Sequence, residues 1–223
     1  MELKVISSGS KGNLYSLRSS TNQTLIIEAG MPFRVLRRHV NIRDVVGCIV
    51  SHSHADHGGY VKEYDSRGIV TYTPDNTPEE FVRIFGGFKV RSFAVVHDVP
   101  AYGYLIHHPE MGTMPFITDT HYIPWKFNMN NLMIECNYSE GILKKRVEQE
   151  KIHPALADRI AYSHVSLETC IDFLEKNDTS KLDNIILIHL SDGNSDSAMF
   201  KAEVERVTGV PTFIATKNLT LRL

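Results

Sequence analysis

Apolar residues in the first third of the chain come in short runs broken by tight punctuation. Leu3 to Ser7 and Leu14 to Leu17 flank the polar loop Ser8-Gly9-Ser10-Lys11-Gly12-Asn13 and predict two strands joined by a turn-rich connection. Thr24 to Glu28 predicts a third strand, closed by Gly30 and Pro32, and Phe33 to His39 a short basic helix. Val45 to Val50 is continuously apolar, as a strand buried on both faces would be. Further strands are predicted over Ile69 to Thr73, Phe88 to Val96, Tyr102 to His107, Phe116 to Thr118, Leu132 to Glu135, Ile185 to His189 and Thr212 to Ala215. The spacing predicts helices over Pro78 to Phe85, Gly141 to Lys151, Leu167 to Lys176 and Ala198 to Val207. Ser166 is the expected N-cap of the third helix, and Gly209 the expected stop of the fourth. Strands dominate the first half and strands alternate with helices in the second, which predicts a layered α/β or α+β arrangement.

No repeat, linker or low-complexity tract divides the 223 residues, so one domain over 1–223 is expected. No apolar run approaches the ~20 residues of a membrane span. The start Met1-Glu2-Leu3-Lys4-Val5 lacks the basic and apolar regions of a secretory signal. Cys48, Cys136 and Cys170 are odd in number, widely spaced and set in apolar or helical stretches, so they read as buried thiols. A cytoplasmic protein with no membrane partner is expected. The net charge of −2 argues against a whole-surface grip on nucleic acid, while leaving room for a local basic patch. The unusual count is histidine, eleven in all.

Four chemistry-bearing residues crowd His52-Ser53-His54-Ala55-Asp56-His57, directly after the Val45 to Val50 run. Imidazole nitrogens and carboxylate oxygens suit zinc-like or manganese-like ions. His52 and His54 share a face if the strand end is extended, and Gly58-Gly59 permits the turn that aims Asp56 and His57 elsewhere. A merely solvated histidine-rich loop is the bland alternative. His97, Asp119 and His189 each stand where a predicted strand leaves the core, and could complete such a site. Singly, each could instead be a satisfied core histidine or a turn cap.

In this order, His52, His54, Asp56, His57, His97, Asp119 and His189 resemble the motif set of the metallo-β-lactamase-fold hydrolases. The chain is most similar to their YycJ/WalJ-like phosphoesterases and exonucleases, through Ser8 to Asn13, Val96-His97-Asp98, Thr118-Asp119-Thr120, Glu135-Cys136-Asn137, Ser163-His164-Val165-Ser166 and His189-Leu190-Ser191. The resemblance implies an α/β fold of the αββα sandwich type, with two mixed sheets flanked by helices. It implies two divalent metal ions, zinc or manganese. His52, His54 and His97 would hold one, Asp56, His57 and His189 the other, and Asp119 would bridge. Paired ions can clamp the attacking and leaving oxygens and lower a water's pKa, so a hydroxide held between them is the implied nucleophile.

Asp56, His164 and Glu135 are the expected catalytic residues, the last two resembling the Glu–His pair of the ribonuclease Z branch. His164 could alternatively cap the helix that starts near Leu167. Ser8, Ser10, Lys11 and Asn13 are expected to hold substrate phosphate, with an ordinary hairpin turn as the alternative. Lys144-Lys145-Arg146 reads by default as a solvated mixed-charge face. Two departures stand out: Glu28 occupies the place of an aspartate usual in the family, and Ser139 to Arg159 follows no family pattern.

The resemblance implies phosphodiester hydrolysis, with DNA as substrate in an exonuclease-type reaction. Cyclic mononucleotides, as in the phage anti-Pycsar phosphodiesterases, are the alternative substrate. A catalytically inactive binding protein on the same fold is the alternative of another class, and it would predict broken ligand positions. A homodimer remains open.

Overall fold

The computed structural model describes residues 1–223. The chain runs β1 (Glu2–Ser7), β2 (Leu14–Arg18), β3 (Thr24–Ile27), α1 (Phe33–Leu36) and β4 (Val45–Ile49). It continues through α2 (Ala55–Gly58), α3 (Val61–Ser66), β5 (Thr71–Tyr72), β6 (Val82–Phe85), β7 (Phe88–Val95) and β8 (Ala101–His108). Next come β9 (Gly112–Ile117), β10 (Asn131–Glu135), α4 (Glu140–Glu148), α5 (Pro154–Ser163) and α6 (Leu167–Lys176). The last elements are β11 (Asn184–Ile188), α7 (Ser197–Thr208), β12 (Thr212–Ile214) and β13 (Thr220–Arg222).

Two sheets form, in the orders β13-β1-β2-β3-β4-β5 and β12-β11-β10-β9-β8-β7-β6. Both are mixed: β3, β4 and β5 pair in parallel, as do β9 to β12, while the remaining pairs are antiparallel.

Alternation along the strands builds the layers. Leu3, Val5, Tyr15, Leu17, Leu25 and Ile27 face the second sheet, meeting Tyr104, Ile106, Phe116 and Ile186 in the central core. Their neighbours Ile6, Leu14, Ile26 and Cys48 point the other way and pack with Leu36 and Tyr64. On the second sheet, Ile117, Leu132, Ile134, Ile185 and Leu187 face outward beneath α6 and α7. Those helices answer with Leu167, Cys170, Phe173 and Leu174, and with Phe200 and Val204, at helical spacing. The result is helix, sheet, sheet, helix.

Ser166 caps α6 by accepting from the Thr169 amide, and Gly209 ends α7 in the left-handed region with φ 69°. The three cysteines are buried and free. No helix is long and apolar enough to cross a membrane.

The helix expected over Pro78 to Phe85 is corrected: Val82–Phe85 is an edge strand paired antiparallel with β7, Phe85 opposite Phe88. The connection is Gly86-Gly87, with Gly86 at φ 55°, a turn signal that outweighs the helical look of Glu79 to Phe81. A second difference is α5, which was not expected. Pro154 stands in its first turn, and His153 caps it by accepting from the Ala155 amide at 3.2 Å.

Candidate metal centre and active site

The seven expected metal donors converge on one cleft of about 270 Å³ at the edge of the sandwich. Four peptide segments deliver them: the turn from β4 through α2, and the ends of β7, β9 and β11. Ligand atoms of His52, His54 and His97 lie within 4.8 Å of one another, as do those of Asp56, His57 and His189. A third set, His52, His57 and Asp119, links the two. Asp119 Oδ2 stands 2.8 Å from His57 Nε2 and 3.8 Å from His52 Nε2, so the carboxylate sits between the two groups.

The donors fit divalent ions. His52 Nε2 is buried without a hydrogen-bond partner, a costly state unless something else binds it. Burial and the neighbouring His57 push the His52 imidazole down to about 2, which keeps its lone pair available. The donor set is nitrogen and carboxylate oxygen without thiolate, which suits zinc or manganese.

Supporting contacts orient the imidazoles. Ser51 Oγ lies 2.9 Å from His52 Nδ1. His189 Nδ1 lies 2.9 Å from Glu135 Oε1, leaving Nε2 to face Asp56 Oδ2 at 3.2 Å. Glu28, the departure from the family pattern, is fully buried, accepts from the Ser51 amide and lies 3.5 Å from His57 Nδ1. Its longer side chain therefore still supports the site.

A fourth cluster, Asp119, Glu135, His164 and His189, is also tight. Here the carboxylate is already committed. Glu135 Oε2 accepts from the Asp119 and Val165 amides at 2.8 and 3.0 Å, while Oε1 meets His164 Nδ1 at 2.7 Å and His189 Nδ1. Glu135 is thus a hydrogen-bond hub. His164 Nδ1 also lies 2.8 Å from Asp119 Oδ1, so the inner edge of the ring is fixed and Nε2 is left for the cleft. Burial alone would lower the His164 pKa, but the Glu135 charge and the contacts with Asp119 outweigh it and push the imidazole up to about 10. His164 does not start α6; that task falls to Ser166.

The loop between β1 and β2 divides its work. Ser10 lines the cleft. Lys11 is exposed and pairs with Asp192 at 3.3 Å. Ser8 Oγ accepts from the His189 amide at 2.9 Å, and the buried Asn13 amide reaches His57 Nε2 at 3.1 Å and the Asp56 carbonyl at 3.2 Å. Ser8 and Asn13 thus hold residues of the candidate metal site in place.

Sequence reasoning did not single out Asp98, whose Oδ1 lies 3.1 Å from His97 Nε2 and 3.3 Å from His54 Nε2. Its place directly after His97 was the available signal. It also missed the wall formed by α5, for which Pro154 was the signal.

No protein-family model matches the chain. In sequence it is similar to the exodeoxyribonuclease YycJ of Bacillus anthracis, 24% identical over 237 residues that cover 93% of this chain and 89% of that protein. In structure it resembles the metallo-β-lactamase-fold protein YhfI of Bacillus subtilis, with a TM-score of 0.71 at 15% identity, covering 99% and 98% of the two chains. It also resembles the short form of human tRNase Z, with a TM-score of 0.64 at 11% identity over 99% and 98%. A diphosphatase of the PhnP family gives 0.64 at 15% over 99% and 96%. Sheet order, layering and these likenesses agree: the chain has the metallo-β-lactamase fold and is similar in sequence to exodeoxyribonuclease YycJ.

Proposed function

We propose that the protein is a metal-dependent phosphodiesterase that removes nucleotides from DNA. The observation that carries this reading is the Glu135–His164 pair, fixed against Asp119 beside two sets of metal donors. The sequence likeness to an exodeoxyribonuclease supports it, as does the fold shared with a tRNase Z and a diphosphatase.

His52, His54 and His97 would hold one ion, Asp56, His57 and His189 the other, with Asp119 reaching both. Two divalent ions there would polarise the phosphate and make a water acidic enough to attack near neutral pH. The chain's own groups do the rest. His164, protonated and held by Glu135, donates its Nε2 proton to the leaving oxygen as the P–O bond breaks. Asp56, its side chain about a quarter exposed to the cleft, is placed to accept the proton released by the attacking water. Glu135 stabilises the imidazolium before transfer and keeps the ring aligned.

The test is to incubate zinc- or manganese-loaded protein with end-labelled DNA, RNA and cyclic mononucleotides side by side. Stepwise release of mononucleotides from DNA, abolished by chelation, is the expected result. Hydrolysis of cyclic mononucleotides alone would move the reading to a cyclic-nucleotide phosphodiesterase. Inertness toward all three would overturn it.

A further inference from the structure

The unexpected helix α5 forms one wall of the cleft. Leu156, Arg159, Ile160 and Ser163 recur at i, i+3, i+4 and i+7 and all line the cleft wall. The buried Ala157 on the same helix packs instead with Tyr138 and Leu143, which anchors the wall to the rest of the fold. The other lining residues are largely imidazoles, carboxylates and small polar groups. Arg159 is the only lysine or arginine among the eighteen, and it is exposed and makes no ion pair. Leu156 and Ile160 are two of the three hydrophobic residues of the lining.

A guanidinium without a carboxylate partner, set in a cleft rich in acids, is a permanent cation with a planar fork suited to phosphate. On α5, Arg159 lies one helical turn before Ser163, about 6 Å along the axis, and so away from His164, which follows the helix. That rise is comparable to the spacing of neighbouring phosphates along a strand. The two apolar side chains on the same face fit the flat surface of a base.

We propose that α5 reads the nucleotide beside the scissile bond: Arg159 takes the neighbouring phosphate, and Leu156 and Ile160 cover the base between the two phosphates. The inference rests on the phosphodiesterase reading and sharpens it. A substrate with a second phosphate uses the whole wall, whereas a cyclic mononucleotide cannot engage Arg159 in this way.

The experiment compares three phosphodiesters on metal-loaded wild type and Arg159→Gln: a 5′-phosphorylated dithymidine, thymidine 5′-(4-nitrophenyl) phosphate and bis(4-nitrophenyl) phosphate. Losing a charge-assisted contact should raise KM for the dinucleotide about 10–100-fold, with kcat within about twofold. The two single-phosphate substrates should be unaffected, and Arg159→Lys should restore part of the loss because it returns the charge without the fork. Leu156→Ser should raise KM for both thymidine substrates and spare the bis(nitrophenyl) ester. Metal content and melting temperature, measured in parallel, should match wild type because both residues are exposed. An equal effect of Arg159→Gln on all three substrates, or none on the dinucleotide, overturns the proposal while leaving the phosphodiesterase reading intact. A wild type inert toward all three phosphodiesters overturns both.

Discussion

Replacing His164 by alanine tests the proposed acid role without substituting any of the seven proposed metal donors. The ring is held through Nδ1 by Glu135 Oε1 at 2.7 Å, and its side chain is only about a quarter exposed. Removing it deletes a proton donor and leaves the hub's other contacts, to the Asp119 and Val165 amides and to His189, in place. Two bound ions should therefore remain. The rate on DNA should fall about 10²–10⁴-fold, the usual contribution of a positioned acid. That is about 3–5 kcal/mol in the barrier. The effect should depend on the leaving group. A nitrophenolate leaves without a proton, so thymidine 5′-(4-nitrophenyl) phosphate should lose less than about tenfold. Glu135→Gln should show the same selectivity in weaker form, since the amide still accepts from backbone N–H groups but no longer favours the imidazolium. Single-turnover rates on the two substrates, with metal analysis of the same samples, decide the matter. An equal loss on both substrates refutes the acid role, and metal depletion of His164→Ala makes the residue a ligand.

Two other substitutions probe the site's construction. Asp119→Ala removes the carboxylate that reaches both donor sets, so dialysed protein should hold fewer than two ions and lose activity; two tightly held ions per chain by elemental analysis would refute a bridging role. Gly30→Ala would place a Cβ 1.8 Å from the Asp56 carbonyl oxygen and 2.7 Å from the Asn13 amide nitrogen, backbone on both sides with no side chain free to yield. About 3 kcal/mol of destabilisation is expected, or ~6–12 °C in Tm for a chain of this size, together with weakened metal binding as Asp56 is displaced. An unchanged melt in the presence of chelator would show that the Asp56 turn is more compliant than its contacts imply.

The convergence of the seven proposed metal donors was legible because their chemistry is written in short spacings and at predictable strand ends. His52 to His57 follows a fully apolar strand, and His97, Asp119 and His189 each follow another. The order of strands and helices predicted only a layered arrangement, and the resemblance implied the two-sheet sandwich; alternation in β1 to β3 realises it by giving one face to the central core and the other to the helices. What escaped were features settled by tertiary contact. The segment before β7 looks helical in isolation, but an edge strand beside β7 and a Gly-Gly turn decide it. Helix α5 is mostly exposed and begins within the stretch from Ser139 to Arg159 that follows no family pattern, and its value lies in which face meets the cleft. Ser8 and Asn13 looked like phosphate ligands because a glycine-rich loop can bind anions. Only the distances show that their polar atoms already serve His189, His57 and Asp56.

Backbone conformation explains why the site needs such support. Glu28, Asp119 and His189 are non-glycine residues with φ of 69°, 47° and 54°, and each stands just past a strand end. A strand that continued regularly would send these side chains along the alternating pleat. The left-handed turn swings them toward the histidine cluster instead, at a cost of about 1–3 kcal/mol each. Such a conformation persists only where the surroundings hold it, and each of the three amides has a partner. The Glu28 N–H donates to the Ile49 carbonyl, that of Asp119 to Glu135 Oε2, and that of His189 to Ser8 Oγ. Two of the three partners are side chains, so Glu135 and Ser8 set the backbone from which the ligands project. Glu135 therefore acts twice, once on the Asp119 main chain and once on the His164 and His189 rings. Two of the proposed metal donors, Asp119 and His189, and the proposed acid His164 are thereby tied to one buried carboxylate, and the distance between them is a property of the fold before any substrate arrives.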